Sequence, residues 1–202
     1  MNELAPGVFH WKAKHPRIKT DVSSYYLADS GTLLDPMVPP DEGLDWFDER
    51  APQRIVLTNR HHSREAERFV ERFGIPVLSN ERGLHEFEGR DLEVQGFAVG
   101  DEIAPGVTTH EFGAICPDDT ALHVDAGPGF VAFADGIIRY GQLGFVPDNL
   151  MDEPEEVKRR SYEMARDLLE LDFDGVLVAH GEPQASGGKE ALRRLVEDGA
   201  AS

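Results

Sequence analysis

The feature that most constrains this chain is a change of hydrophobic period between residues 54 and 78. Arg54-Ile55-Val56-Leu57 is a short apolar run suited to a buried strand, and the residues after it, Thr58 to Arg64, are polar. Ala66, Phe69, Val70 and Phe73 then fall at i, i+3, i+4 and i+7, one face of a helix. Ser63 is placed to cap that helix and Gly74 to end it. Pro76-Val77-Leu78 reads as a second strand. A strand, polar loop, helix and strand in succession form an α/β unit, which sets its chemistry at the carboxyl end of the strand. The segment 58–64 is therefore the first place to look for function.

Other elements extend the pattern. Gly7–Trp11, Ser23–Ala28 and Thr32–Leu34 look extended, and the Asp29-Ser30-Gly31 turn makes the last two a hairpin. Asp41–Glu49 suits a short helix carrying Leu44, Trp46 and Phe47. In the second half Val107–His110, Thr120–Val124, Gly129–Ala134 and Ile137–Tyr140 are short strands bounded by glycine, proline or aspartate. Asp152 and Glu155 resemble a capping box, Pro154 fits a first helical turn, and Val157, Ser161, Met164, Ala165 and Leu168 share one face. Val176–Ala179 is a strand ending on His180-Gly181, and a last amphipathic helix uses Ala191, Leu192, Leu195 and Val196. No repeat or linker interrupts the sequence, so residues 1–202 read as a single domain.

Composition narrows the partners. A formal charge of −18 argues against a nucleic-acid backbone, which needs a basic surface, and against anionic membranes. The acidic residues are scattered, so they read as a solvated, self-repelling surface, of the kind a salt-adapted proteome carries. No apolar run approaches the ~20 residues that span a bilayer. Residues 1–6 lack the basic and apolar parts of a signal peptide, so the expected location is cytoplasmic. One cysteine, Cys116, excludes an internal disulfide and a thiolate-only zinc site. Oligomeric state is not legible.

Taken in order, these motifs resemble the metallo-β-lactamase superfamily. That family has a strand ending in Thr-His-x-His-x-Asp-His before a helix, a later Gly-His turn, a strand ending in Gly-Asp and a terminal Gly-His-Gly turn. Here the first stretch is Thr58-Asn59-Arg60-His61-His62-Ser63-Arg64. Gly100-Asp101-Glu102-Ile103 resembles the family's turn ahead of its middle strands, Phe133-Ala134-Asp135-Gly136 the Gly-Asp strand end, and Ala179-His180-Gly181 the terminal turn. The resemblance spans nearly the whole chain and implies a four-layer αββα sandwich in the α/β (α+β) class. It also implies a cleft at the strand ends where the family binds two metal ions.

Carried over position by position, the metal motif is damaged. Asn59, His61, Ser63 and Arg64 stand where the family has His, His, Asp and His, and Ala114 is aligned with the Gly-His histidine. His61, Asp135 and His180 survive, but the resemblance divides them between two ions, about two ligands each, where tight zinc sites use three or four. Arg64 adds a permanent cation. It either pairs with Asp135 in place of the metal or points to solvent. The leading expectation is a protein with no metal cofactor and an unidentified small-molecule ligand, a binding or regulatory module or an enzyme of altered chemistry. The alternatives are an ester, lactone or thioester hydrolase using one zinc or iron ion at His61, Asp135 and His180, with His110 or His123 as a candidate further ligand, and a non-catalytic scaffold.

The remaining residues read more plainly. Neighbours in an extended segment point to opposite sides, so at most one of His61 and His62 faces the cleft; His62 is expected at the surface. His10, His15 and His85 carry no metal spacing and are expected at the surface or in loops. Cys116, between Ile115 and Pro117, reads as a small buried hydrophobe. Ala126-Gly127-Pro128-Gly129 reads as a hairpin turn.

Overall fold

The computed structural model describes residues 1–200. In chain order the strands are β1 (Asn2–Ala5), β2 (Val8–Lys14), β3 (Asp21–Leu27), β4 (Thr32–Leu34), β5 (Arg54–Leu57), β6 (Val77–Asn80), β7 (Val94–Phe97), β8 (Glu102–Ala104), β9 (Val107–Glu111), β10 (Thr120–Val124), β11 (Phe130–Phe133), β12 (Ile138–Tyr140), β13 (Gln142–Gly144) and β14 (Gly175–Val178). The helices are α1 (Ala66–Phe73), α2 (Pro154–Leu168) and α3 (Gly188–Ala200). Strands β1 to β7 form one sheet in sequence order, β14-β11-β10-β9-β8 form a second, and β12 and β13 make a separate ribbon.

Alternation along these strands supplies a core on each sheet face. Val8, Tyr25, Leu34 and Val56 of the first sheet meet Val107, Leu122, Phe130 and Leu177 of the second between the sheets. The opposite face of the first sheet, with Leu33, Ile55 and Leu57, buries Phe69 of α1 and Phe47. The outer face of the second, with Val131, Phe133, Val176 and Val178, buries Ala165 and Leu168 of α2 and Leu192 and Val196 of α3. These three cores are the four-layer αββα sandwich the resemblance implies.

Pairing decides where chemistry sits. β4, β5 and β6 are mutually parallel, as are β11 and β14. The segments following β4, β5, β11 and β14 meet at one edge of the sandwich, and Tyr25 ties the two sheets there. Its hydroxyl donates to the Val178 carbonyl at 2.7 Å and accepts from the Val178 amide at 3.0 Å.

Local details differ from expectation at helix starts. Ser63 does not cap α1; it ends a 3-10 turn over Arg60–Ser63 whose cap is Asn59, and α1 opens at Ala66 without a side-chain cap. The Asp152–Glu155 capping box does not form, because Glu153, in a left-handed conformation, precedes Pro154. The helix expected over 41–49 is a 3-10 turn over Leu44–Phe47. Gly74 ends α1 in the left-handed conformation as expected, and both hairpins form, β3–β4 and β10–β11. Among the described residues no helix is long and apolar enough to cross a membrane.

Candidate metal centre

The loop after β5 coils rather than running extended. The Asn59 side-chain oxygen accepts from the His61 amide at 2.9 Å, and the His62 amide donates to the Asn59 carbonyl at 3.1 Å. That turn reverses the expected phase. His61 is exposed, its Nε2 reached only by Arg60 Nε at 3.5 Å, whereas His62 is 5% exposed and points inward. The alternation argument allowed at most one of the two to face the cleft, but both line it, His61 at the exposed mouth and His62 inward, because the backbone there is a 3-10 turn and not extended. In a 3-10 turn the inward residue is His62.

His62 stands between two carboxylates. Its Nδ1 lies 2.8 Å from Oδ2 of Asp35, and its Nε2 lies 3.3 Å from Oδ1 of Asp135. His180 brings its Nε2 to 3.0 Å from the same Asp135 oxygen, and the Asn59 amide donates to Asp135 Oδ2 at 2.9 Å. Asp35, buried at the end of β4, also accepts from the Thr58 amide at 2.8 Å and from the Thr58 hydroxyl. Asp35 belongs to no family-like motif, and sequence reasoning missed it. The one available signal was a lone acid at the end of an apolar strand in the same sheet as β5.

Burial alone would lower the His62 pKa, but Asp35 and Asp135 outweigh it and hold it up at about 9. Burial would raise Asp135, yet the two histidines bring it well below the usual carboxylate range. Asp119, fully buried, is pushed the other way, well above the usual carboxylate range, by burial and by the nearby Asp135.

Arg64 neither pairs with Asp135 nor points to solvent. Its Nη1 donates to the carbonyls of Ser23 at 2.5 Å and Asp35 at 2.8 Å, and no Arg64–Asp135 ion pair forms. The reason is its backbone, at φ 44° and ψ −111°, which turns the side chain beneath β3 and β4. The counter-charge expected from the arginine comes instead from His62, beside Asp135.

The terminal turn depends on a glycine. Gly181 has φ 99°, and a Cβ there would stand 1.8 Å from the Arg139 carbonyl oxygen. That close pass lets the Arg139 amide donate to the His180 carbonyl at 3.0 Å, which fixes His180 between β14 and the ribbon.

Three donor atoms thus converge. One ligand atom each from His62, Asp135 and His180 lie within 4.8 Å of one another, and they are the metal-capable group among the described residues. Ligands on one zinc or iron ion, each ~2.0–2.2 Å from it, stand roughly 3.0–3.5 Å apart, and the two histidine–aspartate distances fit that spacing. Two histidines and a carboxylate are a donor set that holds such ions, and a carboxylate behind the first histidine, here Asp35, is the usual orienting partner.

The architecture recurs in solved structures. A metallo-β-lactamase from Pontibacter korlensis superposes with a TM-score of 0.68 at 14% identity, covering 98% of each chain. A metallo-β-lactamase family protein from Thermus thermophilus gives 0.66 at 15% identity over 98% of this chain and 81% of that one. The chain has the metallo-β-lactamase fold. A flavo di-iron protein from Thermotoga maritima also shares it, with a TM-score of 0.62 at 14% identity over 94% of this chain and 58% of its own. No family model and no curated protein sequence matches the chain.

Set on the metallo-β-lactamase fold, the remaining expected site residues separate. Asn59, Asp135 and His180 sit together as expected, and Ser63 lines the same cleft. Ala114 does not: it packs with Met151 and Val157, and its neighbour Ile115 faces the cleft beside Asp135 and His180. His110 and His123 supply no further ligand. His110 lies opposite Ala121 on the helix-facing side of the second sheet, and His123 Nε2 is taken by the Asp172 carbonyl at 2.8 Å. His10 is buried, not superficial, against Ser23 Oγ at 3.0 Å, and His15 lines the cleft. Cys116 is buried as expected, and burial and Asp118 push its thiol up to about 12, away from the reactive thiolate.

Proposed function

We propose that this chain is a hydrolase-type enzyme of the metallo-β-lactamase fold that works with one metal ion, zinc or iron, at His62, Asp135 and His180. The observation that carries this reading is the convergence of three donors on one point with Asp35 behind the first. Among the described residues a second ion has no comparable donors, and Asn59, Arg64 and Ile115 occupy the surrounding positions.

Once bound, an ion there polarises a carbonyl or acidifies a water, the chemistry that hydrolysis of an ester, lactone or thioester needs. The chain's own groups prepare for it. Once the Nε2 proton of His62 is displaced by an ion, Asp35 holds the remaining proton on Nδ1 and leaves the Nε2 lone pair facing inward. Asn59 occupies Asp135 Oδ2, so that Oδ1 faces the two imidazoles. With both imidazoles neutral, two carboxylates and Arg64 leave the site one negative charge. That favours a dication, though less than two carboxylates without an arginine would.

A second reading is supported by a specific observation: His62, held between Asp35 and Asp135, already balances the buried charges without an ion. On that reading the cleft is a metal-free binding or regulatory pocket, or a vestige on a scaffold. Metal analysis separates the two. Protein purified without chelator should carry close to one equivalent of zinc or iron, His62→Ala and Asp135→Ala should carry almost none, and His61→Ala should match wild type. A metal-free wild type, or loss of metal on His61→Ala but not His62→Ala, would refute the one-ion reading.

A further inference from the structure

Two cavities of about 390 Å³ each meet at Asp135, His180 and Ile18, and they differ sharply in character. The first is lined by four arginines and by Asp135 as its one carboxylate, in a chain whose formal charge is −18. Arg17 and Arg90 are exposed there, and neither forms an ion pair among the described residues. Arg60, at the same mouth, is partly committed to Asp118 at 3.5 Å. So acidic a protein has many carboxylates with which to neutralise two arginines, yet among the described residues it pairs neither with one; Arg90 only lies over the Phe87 ring, 5.3 Å from its centroid. A local positive field inside a negative envelope selects anions that come close and repels them at long range.

The second cavity runs the other way from Asp135 and His180. Ile115, Ile138 and Val146 form its wall, and Ile18, Tyr140 and Leu150 its rim. Those rim residues are 54%, 66% and 64% exposed, and they are three of the four large hydrophobic residues left exposed on the described surface. Isolated apolar side chains at a surface need no explanation, but a contiguous set around a cavity points to an apolar occupant. The candidate metal ligands stand at the junction, so one molecule reaching into both cavities would present its middle to them.

We infer that the substrate is an amphipathic acyl ester or thioester whose two sides differ, one carrying a phosphate or carboxylate held by Arg17 and Arg90, the other an apolar chain held against Ile18, Ile115 and Leu150. The inference rests on the hydrolase reading in one respect, the position of the scissile bond at the Asp135–His180 junction. In the reaction a water oxygen bonds to the acyl carbon, the carbon–oxygen or carbon–sulfur bond breaks, and the water protons end on the leaving atom and in solution. The products are a carboxylic acid and an alcohol or thiol, one anionic and one apolar.

The test is calorimetric titration with octyl phosphate below its micelle concentration, against octanoate, inorganic phosphate and 1-octanol, using metal-loaded and chelator-treated protein. Octyl phosphate or octanoate is expected to bind at least about tenfold more tightly than both phosphate and octanol, since burying even a few methylenes is worth that much. Whichever of the two binds tighter identifies the anionic group. The double variant Arg17→Ala/Arg90→Ala, confined to the surface, should lose about tenfold for the amphiphile and nothing for octanol. Leu150→Ser should reduce the amphiphile toward inorganic phosphate. Equal affinity for octanol and octyl phosphate, or for phosphate and octyl phosphate, would overturn the inference, as would an unchanged amphiphile affinity in the arginine variant. Amphiphile binding by a protein that carries no metal when purified without chelator, and takes up none when zinc or iron is added, would instead defeat the hydrolase reading and leave the ligand class standing.

Discussion

Replacing Asp35 by asparagine keeps the side-chain volume and removes the charge around which His62 and Thr58 are arranged. Loss of such an orienting carboxylate typically weakens metal affinity ~10–100-fold, and Asp35→Asn is expected to fall in that range by competition with a chelating dye. Chelator-treated protein carries a matching pH signature. The proton on His62 is held up to about 9 against an ordinary 6.5, so its stabilising pairing is complete below 6.5 and is lost as pH rises through 9. His10 acts oppositely: burial lowers it to about 4, so protonation destabilises the fold as pH falls from 6.5 toward 4. Melting curves of stripped protein should decline on both sides, and Asp35→Asn should move the alkaline decline to lower pH. At this scale Asp135 and His180 were legible because each stands in a family-like motif at the end of an apolar strand. Asp35 ends an apolar strand too but stands in no such motif, and only the fold brings it to Thr58 and His62, 23 and 27 positions away.

The loop between β5 and α1 shows why a motif's residues can be found while their roles are misassigned. Strand and helix were legible from their periods, and the residues between them were correctly singled out. Which histidine turned inward depended on the Asn59 cap, a bond between a side chain and a backbone amide that no period records. Arg64 poses the same difficulty. In a chain it reads as a free cation at a helix start, whereas in the fold it carries two strand-end carbonyls. Arg64→Ala is expected to destabilise the protein by roughly 2–4 kcal/mol, since charge-assisted bonds are worth about 1.5–3 kcal/mol each and their loss is only partly made good by water. Lysine should restore part of the loss, because both bonds leave the single nitrogen Nη1 and an ammonium also carries several donors. Denaturant midpoints of the two variants provide the check. At the terminal turn, Gly181→Ala should displace His180 and remove bound metal, with the Cβ meeting the Arg139 carbonyl.

For the molecule as a whole, order and spacing of motifs disclosed the αββα sandwich even though each motif was weak, because alternating strands and amphipathic helices admit few ways to bury their apolar faces. The metal count was less accessible, because it depends on which donors meet across two sheets. The −18 charge is a property of the entire surface, and raising salt from about 0.1 M to 1 M shortens screening from ~10 Å to ~3 Å. The thermal midpoint should therefore rise with sodium chloride. The central claim, that one ion sits among His62, Asp135 and His180, is tested most directly by anomalous diffraction at the zinc and iron edges on crystals of protein never exposed to chelator. The account predicts a single peak ~2.0–2.2 Å from the Nε2 atoms of His62 and His180 and a carboxylate oxygen of Asp135. An empty map with the His62–Asp135 hydrogen bond intact, or a peak bound by His61, would contradict it.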